Sequence, residues 1–176
     1  IEGVEVGNKT LEEIGSLLKG PAESIIKLEI KRLNQTLEKL VKREKIQIPA
    51  VNFYKKITPQ TGFIKLSSFT NTASVEFKKA LSFLQKDKIK NLIIDLRSNG
   101  GGLLNEAVKI VNFFIPKGQE VVSTKSRIKE MNRSYITQAM PIAKELYLVV
   151  LVDEYSASAS EIVAGSLQDL DKAIII

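Results

Sequence analysis

Short apolar runs alternate with helical patterns along the second half of the chain. The runs Leu92–Leu96 and Leu146–Val152 are almost wholly apolar, which is typical of strands buried on both faces. Each run is followed by apolar residues at helical spacing, over 103–115 and from Ile162 onward. Strands that alternate with helices predict an α/β fold with mostly parallel pairing.

Other segments of this region show weaker periodicity. They predict three further strands, at 61–69, 119–125 and 173–176, and a helix that runs from a cap at Asn71 or Thr72 to about Lys88. The apolar side of that helix is predicted to consist of Val75, Phe77, Leu81, Phe83 and Leu84. The helix over 103–115 places Leu104, Val108, Val111 and Phe114 inward. The polar segment 126–143 predicts a long surface excursion.

The first 45 residues have a different pattern. Ile1–Val6 predicts a short strand, and Thr10 with Glu13 forms a capping box that starts a helix. The alternation over Ile25–Lys31 predicts a strand with one buried face, and a last strand and connector follow over 33–45. Because Pro49 favours an extended link, 46–51 is a plausible boundary. We therefore predict one domain over 1–45 and another over 46–176.

A serine-rich motif lies where the last long apolar run turns into a helix. Its sequence, Ser156-Ala-Ser-Ala-Ser-Glu-Ile162, places small side chains at the carboxyl edge of a sheet. The free N–H groups of the following helix point toward whatever binds there. A serine nucleophile beside an anion site needs this geometry. The alternative is an N-cap serine with small residues for close packing.

A glycine-rich motif follows the other apolar run. It reads Asp95-Leu-Arg-Ser-Asn-Gly-Gly-Gly102, and its three glycines let the backbone turn freely and approach a ligand closely. A tight strand-to-helix turn or a phosphate cradle would need the same residues. A P-loop is disfavoured because no Gly-Lys-Ser/Thr follows the glycines.

Composition excludes several kinds of chemistry. The 176 residues include no cysteine and no histidine, so a disulfide, a thiolate or His-ligated metal centre and a Ser-His-Asp triad are impossible within them. A serine nucleophile would need another base, and lysine is the usual substitute. The net charge of +6 comes from scattered lysines, which favours a solvated surface over nucleic-acid binding.

The chain carries no apolar run long enough to span a bilayer and no signal peptide. It starts without Met, and it begins and ends inside apolar stretches. From these features we expect it to be an internal piece of a longer polypeptide.

The serine and glycine motifs together resemble those of the C-terminal processing peptidases, the tail-specific serine proteases of peptidase family S41. The two motifs occur in the family's order with the expected elements between them, and the resemblance covers nearly the whole chain. It implies an α/β, ClpP/crotonase-like protease core. It also implies that residues 1–45 are the C-terminal half of a PDZ-like domain, a module that these peptidases carry.

The resemblance also implies roles for individual residues. Ser158, the middle serine of the motif, matches the nucleophile, and the oxyanion hole would combine the N–H of Ala159 with that of Gly101 or Gly102. A second group would support the site without taking part in the chemistry: Asp95, Arg97, Gly100, Glu161 and Asp169. We expect Asp95 and Arg97 to pair with each other or with neighbours and hold the glycine turn.

The general base of this family is a lysine in a Gly-Lys-Gly segment some two dozen residues after the serine. That position lies beyond Ile176, and Lys172 matches a structural basic position of the family. We therefore expect residues 1–176 alone not to cleave peptides.

The resemblance implies a serine endopeptidase that acts near the C-termini of protein or peptide substrates, without a cofactor or metal, in the bacterial periplasm or cell envelope. The scattered charge predicts no nucleic-acid partner, and the sequence predicts no oligomeric state. A catalytically silent peptide-binding relative is the alternative, and absence of the lysine from the whole gene would favour it. A crotonase-like acyl-CoA enzyme is disfavoured, because enolate chemistry does not need the serine-alanine motif.

Overall fold

The computed structural model describes residues 1–46 and 48–176. The chain divides into two compact units, Ile1–Ile48 and Pro49–Ile176. The first unit contains α1 (Leu11–Leu18), β1 (Ile25–Arg32) and β2 (Gln35–Lys42). The second contains, in order, β3 (Val51–Thr58), β4 (Thr61–Leu66), α2 (Ala73–Gln85), β5 (Asn91–Asp95), α3 (Leu104–Val111), β6 (Glu120–Thr124), β7 (Arg133–Ile136), β8 (Tyr147–Leu151), α4 (Ala159–Asp169) and β9 (Ala173–Ile175).

In the first unit, α1 begins at the predicted capping box. The N–H of Thr10 donates to Glu13 Oε2 at 2.7 Å, and the N–H of Glu13 donates to Thr10 Oγ1 at 3.2 Å. β1 and β2 form an antiparallel hairpin, as predicted for 25–31 and 33–45. The predicted buried face is confirmed only in part: Ile26 is buried and Leu28 is half-buried, whereas Ile30 on the same face is 39% exposed.

The predicted strand over Ile1–Val6 is wrong. Residues 2 and 3 form a turn in which Glu2 has φ 50° and Gly3 has φ 79°. The N–H of Val4 closes this turn on the carbonyl of Ile1 at 2.8 Å. Left-handed backbone at two successive residues is incompatible with an extended strand.

The main sheet of the second unit has the strand order β3-β4-β5-β8-β9. Strands β4, β5, β8 and β9 pair in parallel, and β3 adds to β4 as an antiparallel edge. The prediction of an α/β fold with mostly parallel pairing is therefore confirmed.

The core of this unit lies between the sheet and its helices. The register aligns Ile64, Ile94 and Val150 across three neighbouring strands, and all three are fully buried. The helices add large buried side chains to the same cluster, among them Phe77, Leu81, Ile110, Val163 and Leu167, and Phe114 joins them from the turn after α3. These contacts hold β5 and β8 side by side, which decides where their following loops lie.

Two strands and the positions of two side chains differ from the predictions. Strand β3 was not predicted, and β7 lies inside the segment expected to be an irregular excursion. Both strands are largely exposed, so neither shows the apolar alternation of a buried strand. In α2, Val75 is 69% and Phe83 is 53% exposed, so their predicted inward position is wrong. The described residues contain no helix that is long and apolar enough to cross a membrane.

Candidate active site

The serine motif and the glycine motif meet at one edge of the sheet. Strands β5 and β8 are parallel neighbours, and the register pairs Asp95 with Leu151 at their carboxyl ends. The glycine turn, residues 96–102, follows β5, and the serine corner, residues 152–160, follows β8. Because parallel strands end at the same edge, the two loops are brought into contact, as their sequence positions predict.

Ser158 has an unusual backbone conformation. It occupies the N-cap position of α4 with φ 56° and ψ −112°, a region that residues other than glycine rarely adopt. The carboxylate of Glu161 accepts the Ser158 N–H at 2.5 Å, and Ser158 itself is exposed. Strain of this kind costs on the order of 1–3 kcal/mol and persists where the surroundings enforce it, often at functional sites. The conformation presents an accessible hydroxyl at the start of a helix.

Gly101 packs directly against the serine corner. It has φ 100°, and a Cβ built on it would lie 2.7 Å from the carbonyl oxygen of Ala157 and 2.8 Å from Ser158 Cβ. The same Cβ would lie 3.0 Å from the nitrogen of Ala159. Only glycine allows the two backbones to approach this closely.

Gly102 is held on the other side of the turn by Phe69. The N–H of Phe69 donates to the Gly101 carbonyl at 2.9 Å, and the N–H of Leu103 donates to the Phe69 carbonyl at 2.8 Å. These two bonds make a parallel bridge between Phe69 and Gly102. The peptide bond between Gly101 and Gly102 is trans, so its N–H points opposite to the Gly101 carbonyl, which faces Phe69. The Gly102 N–H therefore points away from Phe69.

The amides around Ser158 differ in their availability. The N–H of Gly101 donates to Asn99 Oδ1 at 2.9 Å and is therefore occupied. Ala159 is the first residue of α4, so its N–H has no partner within the helix. Preplaced backbone amides beside a hydroxyl are the arrangement that stabilises the oxyanion of acyl transfer.

Asn99, which precedes the three glycines of the motif, is a site residue that the sequence pattern does not indicate. It is completely buried, and its Nδ2 donates to the Leu66 carbonyl at 2.8 Å. Its own carbonyl accepts the N–H of Ala157 at 3.1 Å and Ser160 Oγ at 2.8 Å. An asparagine placed directly before a glycine turn was the only signal in the sequence, and it does not reveal these partners.

Asp153 forms a second link between the two loops, which the sequence also did not indicate. Its carboxylate accepts the N–H of Ser98 at 2.8 Å and Ser98 Oγ at 3.1 Å. The N–H of Tyr155 donates to the same carboxylate at 3.1 Å. The backbone N–H of Ser98, followed by these other donors, lowers the pKa of Asp153, so the carboxylate is charged at neutral pH.

Asp95 and Arg97 pair with each other, which is one of the two arrangements expected from the sequence. The Arg97 guanidinium donates from Nε to Oδ1 at 2.9 Å and from its terminal nitrogen to Oδ2 at 2.8 Å. Burial raises the pKa of the Asp95 carboxyl, but the hydrogen bonds and charge of Arg97 outweigh it and leave the pKa below its ordinary value. Lys65 lies 3.9 Å from the same carboxylate.

Two of the residues considered from the sequence lie away from Ser158. Asp169 is the last residue of α4 and is exposed, about 16 Å along the helix axis from the serine. Lys172 follows that end of the helix, and its ammonium donates to the carbonyls of Lys144 at 2.5 Å and Leu146 at 2.7 Å. Burial lowers the pKa of Lys172, but its position and partners indicate a structural role.

We expect Arg97→Gln to weaken folding in a pH-dependent way. Because the folded-state pKa of Asp95 is depressed, its carboxylate contributes stability above the unfolded pKa of about 3.9 and loses that stability as pH falls through the folded pKa. Without Arg97 the buried carboxylate loses two charged hydrogen bonds, and the free energy of unfolding at pH 7 should fall, by an amount that solvent screening of the exposed guanidinium limits.

The check is denaturant unfolding of the full-length gene product from pH 7 to pH 3. The difference between parent and Arg97→Gln should shrink as Asp95 becomes protonated. Lys65→Gln is the matched control, and its effect should be smaller because its ammonium is 3.9 Å away. A loss that does not change with pH would contradict this account.

We expect Gly101→Ala to destabilise the protein far more than Gly100→Ala. A methyl group at 101 combines a left-handed backbone with contacts of 2.7–3.0 Å, whereas one at 100 would meet nothing within 4 Å. Strain and overpacking together should cost roughly 2–4 kcal/mol at Gly101. Thermal and denaturant unfolding of the two variants test this, and equal losses would refute the close approach.

Comparison with known proteins identifies the family. Residues 60–176 match peptidase family S41. Over 173 residues the chain is 36% identical to a probable CtpA-like serine protease of Staphylococcus aureus and to another of Staphylococcus haemolyticus, covering 98% of this chain and 34% of each relative. The chain thus spans about a third of the length of these curated relatives.

Solved structures agree with this match. The photosystem II D1 C-terminal processing protease superposes with a TM-score of 0.64 at 25% identity, over 99% of this chain and 48% of the other. A putative S41 protease of Bacteroides fragilis shares the fold with a TM-score of 0.62 at 17% identity, over 86% of this chain and 45% of the other. The chain therefore belongs to peptidase family S41.

Proposed function

We propose that this chain carries the nucleophile and the oxyanion hole of a serine endopeptidase that cleaves protein substrates near their C-termini. The observation that carries the proposal is the conformation of Ser158, exposed and left-handed at the start of α4, with the backbone of Gly101 packed against it. Membership of a peptidase family supports the reaction class. The C-terminal preference is supported by the similarity to the D1 C-terminal processing protease.

In the proposed reaction, the base takes the proton of the Ser158 hydroxyl while Oγ attacks the carbonyl carbon of the scissile peptide bond. The carbonyl oxygen becomes an oxyanion, and the amine leaves after it receives a proton from the protonated base. Water then gives a proton to the base and attacks the resulting ester. The base returns that proton to Ser158 Oγ as the ester bond breaks, which releases the new C-terminus and restores the serine hydroxyl. Each tetrahedral intermediate needs donors in place before the reaction begins.

We assign the oxyanion donors to the N–H groups of Ala159 and Gly102. The sequence left Gly101 and Gly102 open as the partner of Ala159. Because the Gly101 N–H already donates to Asn99 Oδ1, it would have to break that bond to serve an oxyanion. The Gly102 N–H points away from Phe69, so it can donate without such a cost. Gly101 then contributes to the site by allowing the glycine turn to pack closely against the backbone of Ala157 and Ser158.

We propose a lysine as the general base, placed after Ile176 in the polypeptide. Glu161 is oriented toward the N–H of Ser158, and Lys172 is bound to carbonyl groups near the other end of α4. The S. aureus relative is about three times as long as the matched region, which leaves ample chain for such a residue. A lysine base would need burial to lower its pKa toward neutrality.

We further propose that residues 1–45 form part of a PDZ-like domain that presents substrates to the protease core. The helix and hairpin of the first unit support this assignment, and the two compact units divide between Ile48 and Pro49, close to the proposed boundary. A location in the periplasm or cell envelope is proposed from the family resemblance.

The first test compares Ser158→Ala with the parent in the full-length gene product. Cleavage of an unfolded protein with an apolar C-terminus should fall roughly 10⁴- to 10⁶-fold, because the nucleophile is lost. Ser166→Ala is the matched control, since its hydroxyl bonds to the Ile162 carbonyl within α4 and should not affect the rate. Equal cleavage by parent and Ser158→Ala would refute the assignment, and binding without cleavage by either would favour a silent relative.

The second test concerns the position of the base. Residues 1–176 expressed alone should show no Ser158-dependent hydrolysis of the substrate that the full-length product cleaves, because the proposed lysine is missing. Circular dichroism and limited proteolysis of the shorter protein check that it is folded. Hydrolysis that disappears in Ser158→Ala would place the base within these residues.

A further inference from the structure

The side-chain amide of Asn99 joins the end of β4 to the glycine turn, and both its nitrogen and its oxygen take part. The side chain is completely buried. Nδ2 donates to the Leu66 carbonyl at the end of β4, at 2.8 Å. Oδ1 accepts the N–H of Gly101 at 2.9 Å. The side chain thus fixes the glycine turn relative to the sheet.

The main chain of Asn99 holds the serine corner from both sides of Ser158. Its carbonyl oxygen accepts the N–H of Ala157, which precedes the serine, at 3.1 Å. The same oxygen accepts Ser160 Oγ, two residues after the serine, at 2.8 Å. Ser160 is also completely buried. One residue therefore binds to the neighbours of the nucleophile and to the glycine turn.

The two proposed oxyanion donors are each next to a residue that Asn99 holds. Gly102 follows Gly101, whose N–H is bound to the Asn99 side chain. Ala159 precedes Ser160, whose hydroxyl is bound to the Asn99 carbonyl. Asn99 therefore connects the two segments that carry the Gly102 and Ala159 amides. Three successive glycines have no side chains of their own to hold the separation of these amides.

We propose that Asn99 is a positioning residue of the proposed reaction: it holds the Gly101 N–H away from the oxyanion and keeps the Gly102 and Ala159 N–H groups directed at it. This inference rests on the proposed function. Preorganised donors stabilise a transition state because they need no reorganisation during the reaction. Loss of the Asn99 amide leaves the Gly101 N–H without its buried partner, and the flexible turn can then reorient toward another acceptor.

The experiment uses Asn99→Ser and Asn99→Ala in the full-length gene product. Asn112→Ala is the matched control, because Asn112 caps a loop with the same chemistry away from Ser158. Its Nδ2 donates to the Ala139 carbonyl at 2.7 Å, and its Oδ1 accepts the N–H groups of Gln138 and Ala139, each at 2.9 Å. For each variant, kcat, KM and the affinity for a peptide aldehyde are measured, together with thermal unfolding.

A peptide aldehyde forms a hemiacetal with the nucleophile, and its oxygen occupies the oxyanion position. We expect kcat and the aldehyde affinity of the Asn99 variants to fall together, by about 10- to 100-fold, because small misplacements of donors cost this much. KM should change little, since substrate binding elsewhere is retained. Asn112→Ala should lower the unfolding temperature while leaving kcat and aldehyde affinity as in the parent.

Ser160→Ala provides a second route if Asn99→Ala does not accumulate as folded protein. It removes one hydrogen bond to the Asn99 carbonyl and should lower kcat and aldehyde affinity by a smaller factor than Asn99→Ser. The inference is overturned if folded Asn99→Ser matches the parent in both quantities, or loses no more than Asn112→Ala.

The parent and Ser158→Ala separate this failure from failure of the proposed function. If Ser158→Ala abolishes the activity of the parent but the Asn99 variants do not reduce it, only the positioning role is wrong. If the parent shows no Ser158-dependent cleavage, the proposed function fails and the positioning role fails with it.

Discussion

The contact between the backbone of the glycine turn and the backbone of the serine corner is the constraint on which the site depends. Gly101 lies so close to Ala157 and Ser158 that a methyl group would meet them at 2.7–2.8 Å. The parallel pairing of β5 with β8 brings the two loops to the same edge of the sheet. The buried side chains of the sheet and helices then hold the two loops at that edge. Core packing far from Ser158 thus determines the geometry around its hydroxyl.

Hydrogen bonds to buried polar groups maintain this contact against local strain. Ser98 and Ser158 both have positive φ, at 62° and 56°, and each such conformation costs on the order of 1–3 kcal/mol. The carboxylate of Asp153 binds the first of these residues, and Glu161 binds the N–H of the second. Asn99 links the two loops between them. A strained serine can persist here because several independent bonds define its surroundings.

Much of the fold could be predicted from the sequence where burial imposes a period on the residues. Strands β5 and β8 coincide with the predicted apolar runs, and α1 begins at its predicted capping box. These elements were predictable because each signal lies within a few consecutive residues. The edge strand β3 and the strand β7 could not be predicted in this way. Their side chains are largely exposed, so pairing with β4 and β6 stabilises them instead of burial in the core.

By itself, the sequence determined the alternation of buried strands with helices in the second unit, the place of both motifs at strand ends and the absence of any histidine from the chain. It also singled out Ser158, through the resemblance of the serine motif. Only the tertiary structure decided which glycine N–H is occupied, and that the Lys172 ammonium binds the carbonyls of Lys144 and Leu146. The role of Asn99 likewise depends on partners such as Ser160, which is 61 residues away in the chain. Local patterns cannot specify such partners, because hydrogen bonds between distant segments are chosen by how the sheet brings those segments together.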